Sequence, residues 1–345
     1  MKPSRTSTVH RFSARPRSVA LLFLLLGIAG FLWVLRDNDY RAVLHMVTMV
    51  GGGLAIIVAI RGIILAMGGF AWWRLLRSVS ASPLAVMIGL RLIGEAINVL
   101  LPVAAVGGDL ERALLLKSRG VDGGAAAAST LADLLLQAAA QALFMLIGVV
   151  LSLQLAGAAG LTLWAAGGVS VAALALGGFY VAQRYGGARL VERGIAWSAR
   201  RWQAATTGNA IRLDEPLRAI YADRRAVGAA LSLHELGWLL GAFETWMALR
   251  LMGMPVSASA ALILESLSRG LRAAAFPVPS GLGVQEGGYI AIGAVLGIPP
   301  ETALALSLVK RAPDLAIGLP GLLAWYLLRI QGSLPFHSAP QPPPS

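Results

Sequence analysis

Eleven polar side chains interrupt long apolar stretches of this chain: Arg91, Glu95, Glu111, Arg112, Arg269, Arg272, Gln285, Glu286, Lys310, Arg311 and Asp314. A charge placed in hydrocarbon costs about 3 kcal/mol on insertion scales, so such groups pair with one another or line a wet cavity. Arg91 and Glu95 are four apart, on one helix face, and can neutralise each other; Glu265 and Arg269 repeat that spacing. In the second half Arg269, Arg272, Lys310 and Arg311 outnumber Glu265, Glu286 and Asp314. Surplus cations in a cavity suit an anionic headgroup, because arginine grips phosphate with a two-pronged fork. Asp109 is placed to cap a helix that starts after Gly107-Gly108. Glu111 and Glu286 are candidates for proton or headgroup handling, and as the best-placed carboxylate pair they are also the candidates for acid and base in an enzyme. Asp133, Gln137 and Gln141 form a polar stripe at helical spacing, explained as well by a packing seam with Ala132, Ala139 and Ala140 as by a pathway. His234 beside Glu235, with Glu244, is a weak signal of a proton relay.

Other chemistries are excluded by composition. Cysteine is absent and the four histidines, His10, His45, His234 and His337, are scattered, so no metal site and no cofactor is expected. Gly281-Leu282-Gly283 follows no strand and lacks the spacing of a dinucleotide loop. The net charge of +12 does not indicate nucleic acid, because the arginines fall in blocks between apolar stretches instead of along one face.

The elements that carry these residues are membrane helices. Of 345 residues 57% are apolar, only 13% are charged and mean hydropathy is +0.71, far from the roughly 25% charged of a soluble domain. Six stretches reach the roughly 20 residues a span requires: about 19–35, 42–68, 125–153, 158–182, 226–252 and 302–329. Arginine excess in residues 1–18 and 183–225 puts both segments, and both termini, in the cytoplasm. The membrane domain is expected over 19–330, with a disordered proline-rich tail over 331–345.

Two further apolar stretches, about 84–120 and 258–299, are broken by Pro102, Gly107 and Gly108, and by Pro277, Gly281 and Gly283. Broken backbone at membrane depth survives only inside protein or beside water, which predicts re-entrant helical hairpins. Residues 102–111 align with 277–286 at an offset of 175, and each broken stretch lies between two spans. The halves 42–153 and 226–329 therefore read as an inverted repeat, an architecture in which transporters place substrate where broken helices meet. The fold class expected is an all-α integral membrane protein with about six full transmembrane helices and two re-entrant hairpins, eight or nine full spans being the alternative.

Leu100 to Ala113, Ser280 to Gly288 and Leu306 to Asp314 together resemble the flippase-like family that includes the transmembrane region of lysylphosphatidylglycerol synthases. The second and third motifs are most similar to its hopanoid-biosynthesis-associated (HpnL-type) branch. Over residues 20 to 330 the resemblance implies a bacterial inner-membrane protein that handles lipids, an anionic phospholipid or a hopanoid-type lipid, and carries a headgroup between leaflets. It implies motif positions Pro102, Gly108, Glu111, Arg112, Gly283, Gln285, Glu286, Lys310, Arg311 and Asp314. The synthases carry a separate soluble aminoacyl-transfer domain, and no soluble stretch here exceeds 43 residues, so no catalytic residue is assigned. The alternatives are a membrane-embedded lipid-modifying enzyme and a scaffold that binds lipid-biosynthesis enzymes through its arginine-rich loop.

Overall fold

The computed structural model describes residues 40–101, 107–154, 213–274 and 283–333. The spans expected at 19–35 and 158–182, most of the 183–225 loop, Pro102, Pro277, Gly281 and the tail lie outside the described residues. Ten helices and no strands fall within them: α1 Tyr40–Val50, α2 Gly53–Leu76, α3 Leu84–Leu100, α4 Gly107–Ser118, α5 Gly123–Gln154, α6 Asp214–Ala222, α7 Arg224–Leu251, α8 Ala258–Ala274, α9 Val284–Val295 and α10 Pro300–Ser333.

Three of these, α2, α5 and α7, are long and apolar enough to cross a bilayer. At 24 residues α2 is about 36 Å long. The span expected at 42–68 is corrected: the chain breaks at Gly51, whose φ of +48° is a left-handed conformation that favours glycine, leaving α1 as a separate short helix. The 34 residues of α10 are interrupted by Lys310, Arg311 and Asp314 and contain Pro313 and Pro320.

The order long, 17-residue, 12-residue, long helix occurs twice, as α2–α5 and as α7–α10. The packing repeats too: α3 lies against α10 as α8 lies against α5, and α7 packs on α5 as α2 packs on α10. The leading helices run antiparallel. Gly53 at the start of α2 meets Leu251 at the end of α7, while Ser78, just past α2, donates to Asp223 at the head of α7 (3.1 Å). Asp223 caps α7 through the Ala226 N–H, and that bond, with the Ser78 hydroxyl, holds its carboxyl below the usual range.

Corners match in detail at an offset of 173. Phe70 stacks on Trp73 (5.4 Å between centroids), Arg77 lies over Trp73, and the Trp73 indole donates to the Ser82 carbonyl. Phe243, Trp246, Arg250 and the Val256 carbonyl reproduce the set at the other end of the molecule. Each indole ties the end of a long helix to the link that leads into the next hairpin.

Both hairpins are built on close approach. In the first, Gly94 faces Gly108, and the Gly108 N–H donates to the Asn98 side chain (2.8 Å). A Cβ at Gly108 would overlap the Gly94 carbonyl, so Gly108→Ala is expected to wedge α3 from α4 and cost about 1–3 kcal/mol, read as a lower melting temperature in detergent. Wild-type melting in that variant would show that the helices are not held this close.

Candidate functional site

The polar groups of the interior collect in two networks at matching places in the two units. In the first, Asp133 on α5 is completely buried and accepts from Arg91 on α3 (2.8 Å) and from Arg112 on α4 (2.8 Å), and lies 2.9 Å from His234 Nε2 on α7. Arg112, itself fully buried, stacks on Trp72 at 4.4 Å and also pairs with Asp109. In the second, Glu265 on α8 accepts from Lys310 on α10 (2.8 Å), Arg269 (2.8 Å), Thr245 and Tyr289. Glu244 on α7 accepts from Arg61 on α2 at 2.9 Å and lies 3.8 Å from Lys310.

These networks are the same contact with its polarity reversed. Offsets of 174 and 177 carry Arg91 to Glu265 and Asp133 to Lys310, so a cation on the hairpin facing an anion on the long helix becomes an anion facing a cation. Gly68 leaves room against Arg91 as Gly241 does against Glu265.

Between the units lies a cavity of about 80 Å³, room for several water molecules, lined among others by Arg61, Arg91, Glu95, Gln137, His234 and Arg269. A smaller one of about 10 Å³ adjoins it, with Glu95, Asp314, Pro313 and Gly318 in its wall. Arg61, Leu65 and Glu95 line both. Among the described residues Glu95 and Asp314 have no hydrogen-bond partner.

Of the sequence-predicted residues, Arg91, Glu95 and Arg269 meet in the larger cavity and Asp314 in its neighbour. Arg272 donates to Gln285 (3.0 Å), a neutral partner. Glu286 is buried; it accepts from the Gly283 N–H at the head of α9, from Ser307 and from Arg311. Lys310 and Arg112 are engaged in the two networks and do not line either cavity. Glu111 faces elsewhere, accepting from Trp325 and Arg329 near the end of α10.

Three expectations change. Arg91 does not turn to Glu95 despite the four-residue spacing, because the facing helix offers Asp133 and Gln137. The second-half charges are not a self-contained set: Glu244 and Arg61 join their network, which leaves five cations against four carboxylates. Glu111 and Glu286 do not converge: their arginine partners on α10 are 18 residues apart, about 27 Å along a helix. They cannot serve as one acid and base pair. The stripe of Asp133, Gln137 and Gln141 contacts two helices: Asp133 and Gln137 accept from Arg91, and Gln141 donates to the Arg269 carbonyl.

Sequence reasoning passed over Arg61. It lies inside the 24-residue helix that reads as an unbroken span, and its lone charge in an apolar run was the available signal. The corner repeat was also legible, since Phe70, Trp73, Leu76 and Arg77 recur as Phe243, Trp246, Leu249 and Arg250.

Long apolar helices outside and a charged, cavity-bearing seam within define a multi-pass helical membrane protein. Over residues 18–321 the chain matches the family model described as the lysylphosphatidylglycerol synthase TM region, and it belongs to that family. It matches no curated protein and no solved structure.

Proposed function

We propose that this protein is a flippase-like translocator that carries the polar or anionic headgroup of a membrane lipid through the cavity between its two halves. The observation that carries the reading is the position of that cavity. It lies at the seam of two antiparallel units and is walled by arginines from both and by the unpartnered carboxylate of Glu95. The hairpins α3–α4 and α8–α9 enter the bilayer from opposite faces and turn back, in the manner of an inverted-repeat transporter. Arg61, Arg91 and Arg269, which line the cavity, hold the headgroup, while acyl or polycyclic tails remain in lipid. The family's name supports a lipid substrate, and the Ser280 to Gly288 and Leu306 to Asp314 motifs support the hopanoid-associated branch. The chain resides in the bacterial inner membrane with both termini in the cytoplasm.

Leaflet exchange of a fluorescent-tail phospholipid in proteoliposomes, read by dithionite quenching, tests the reading. Gly237 lines the larger cavity, where its absent side chain faces Ile64. Gly237→Leu fills that space without removing a charge and is expected to slow exchange roughly tenfold, equivalent to about 1.4 kcal/mol, in protein that remains monodisperse. Wild-type exchange in that variant would remove the cavity from the path.

A further inference from the structure

The charges around the cavity close in a way that links headgroup binding to protonation. Six interior cations, Arg61, Arg91, Arg112, Arg269, Lys310 and Arg311, are satisfied by five carboxylates: Asp109, Asp133, Glu244, Glu265 and Glu286. That leaves one positive charge over. Arg272, with its neutral partner Gln285, adds a second. Ionised Glu95 and Asp314 cancel both, so the arginines, the lysine and the carboxylates of the seam balance among the described residues. Glu111 and Arg329 cancel each other apart from it, and Glu235 lines neither cavity.

Every other charged or titratable group that faces Glu95 is committed elsewhere. Arg61 on α2 is bonded to Glu244, Arg91 on α3 to Asp133, His234 on α7 to Asp133 and Arg269 on α8 to Glu265. Asp109 and Arg112 on α4 are bonded to each other, and Gln137 on α5 accepts from Arg91. On α10, Arg311 is bonded to Glu286. Glu95 and Asp314, both at the smaller cavity and with Arg272 as an electrostatic neighbour, are the carboxylates there whose oxygens are open to a proton.

We propose that translocation is coupled to a proton, taken up from water by Glu95 or Asp314, and that an anionic headgroup binds when one of them is protonated. The inference rests on the translocator reading. A proton added to either carboxylate oxygen removes one negative charge and leaves the seam with one positive charge, which an anionic phosphodiester then balances. Loss of that proton restores neutrality without the lipid and expels the headgroup. Glu95 lines both cavities and meets the headgroup in either.

The test uses the full chain in liposomes of zwitterionic phospholipid with a trace of tail-labelled phosphatidylglycerol, at equal pH on both sides. Wild-type exchange is expected to rise roughly fivefold or more from about pH 8 to about pH 5.5. Glu95→Gln with Asp314→Asn leaves neither side chain able to take up or release a proton and is expected to abolish the rise in exchange at acid pH; Asp314→Asn alone, expected to flatten the profile in part, serves if the double variant is not monodisperse. A lumenal pH dye is expected to report protons moving with labelled lipid added to the outer leaflet. Exchange that is independent of pH, or a wild-type pH profile in the variants, overturns the coupling and leaves the translocator standing. No exchange at any pH overturns the translocator reading and the coupling with it.

Discussion

Asp133→Ala is expected to be the most damaging single substitution in the protein, lowering its stability by about 3–5 kcal/mol, out of the roughly 5–15 kcal/mol that folded chains possess. The carboxylate is completely buried and is shared by Arg91, Arg112 and His234. Removing it leaves Arg112, which is itself fully buried and already has Nε and Nη1 without a partner, only the less buried Asp109, and leaves Arg91 only the neutral Gln137. A charge left this way in a water-excluding interior loses its hydration with too little in exchange, which is why breaking a buried pair from one side is worse than never having it. Thermal unfolding in detergent, followed by tryptophan fluorescence and by the fraction that stays monodisperse, measures the loss. Asp133→Asn keeps the shape and one acceptor and is expected to fall between alanine and wild type. An Asp133→Ala protein that melts with the wild type would mean that Arg91 and Arg112 are hydrated, and that this network is open to water.

The second large effect is at the mirror network. Glu265→Met removes the common acceptor of Lys310, Arg269, Thr245 and Tyr289, leaving Lys310 the Thr245 hydroxyl, the Gly241 carbonyl and a single carboxylate, Glu244, at 3.8 Å, and is expected to cost about 3–5 kcal/mol. Lys310→Met should be milder, because Glu265 keeps Arg269 one turn away. The double variant replaces both partners by apolar groups, so its loss is expected to fall short of the sum of the singles by about 1–3 kcal/mol in the same unfolding assay. Strict additivity would show that Glu265 and Lys310 do not depend on each other.

Helix positions were largely legible because a bilayer demands them: runs such as 125–153 and 226–252 admit little besides a helix, and α5 and α7 fall there. Hairpin breaks were legible from Gly107-Gly108 and Gly283 for the same reason. Pairing was not. A helical spacing of four says that Arg91 can reach Glu95, but the choice of Asp133 depends on which helix faces it, and a stretch with three open faces does not encode that. Glu265 with Arg269 kept the local pairing, yet its strongest neighbour is Lys310, 45 residues on. Glu111 and Glu286 looked alike because their local sequences are alike; Arg329 and Arg311, at opposite parts of one long helix, make them different. Arg61 was overlooked because a single charge hardly lowers the hydropathy of 24 residues, although it lines both cavities.

The reversed polarity of the mirror networks has an electrical result. Along α3 a positive group, Arg91, precedes a negative one, Glu95; along α8, which starts from the other face, a negative group, Glu265, precedes a positive one, Arg269. Had the duplicated helices kept the same signs, their dipoles would oppose and annul. With the signs exchanged they add, both positive ends pointing to the face that carries Arg74, Arg77, Arg224 and Arg225. A scaffold that is nearly symmetric in shape is thus asymmetric in charge along these two helices, its arginines set toward one face and its glutamates toward the other.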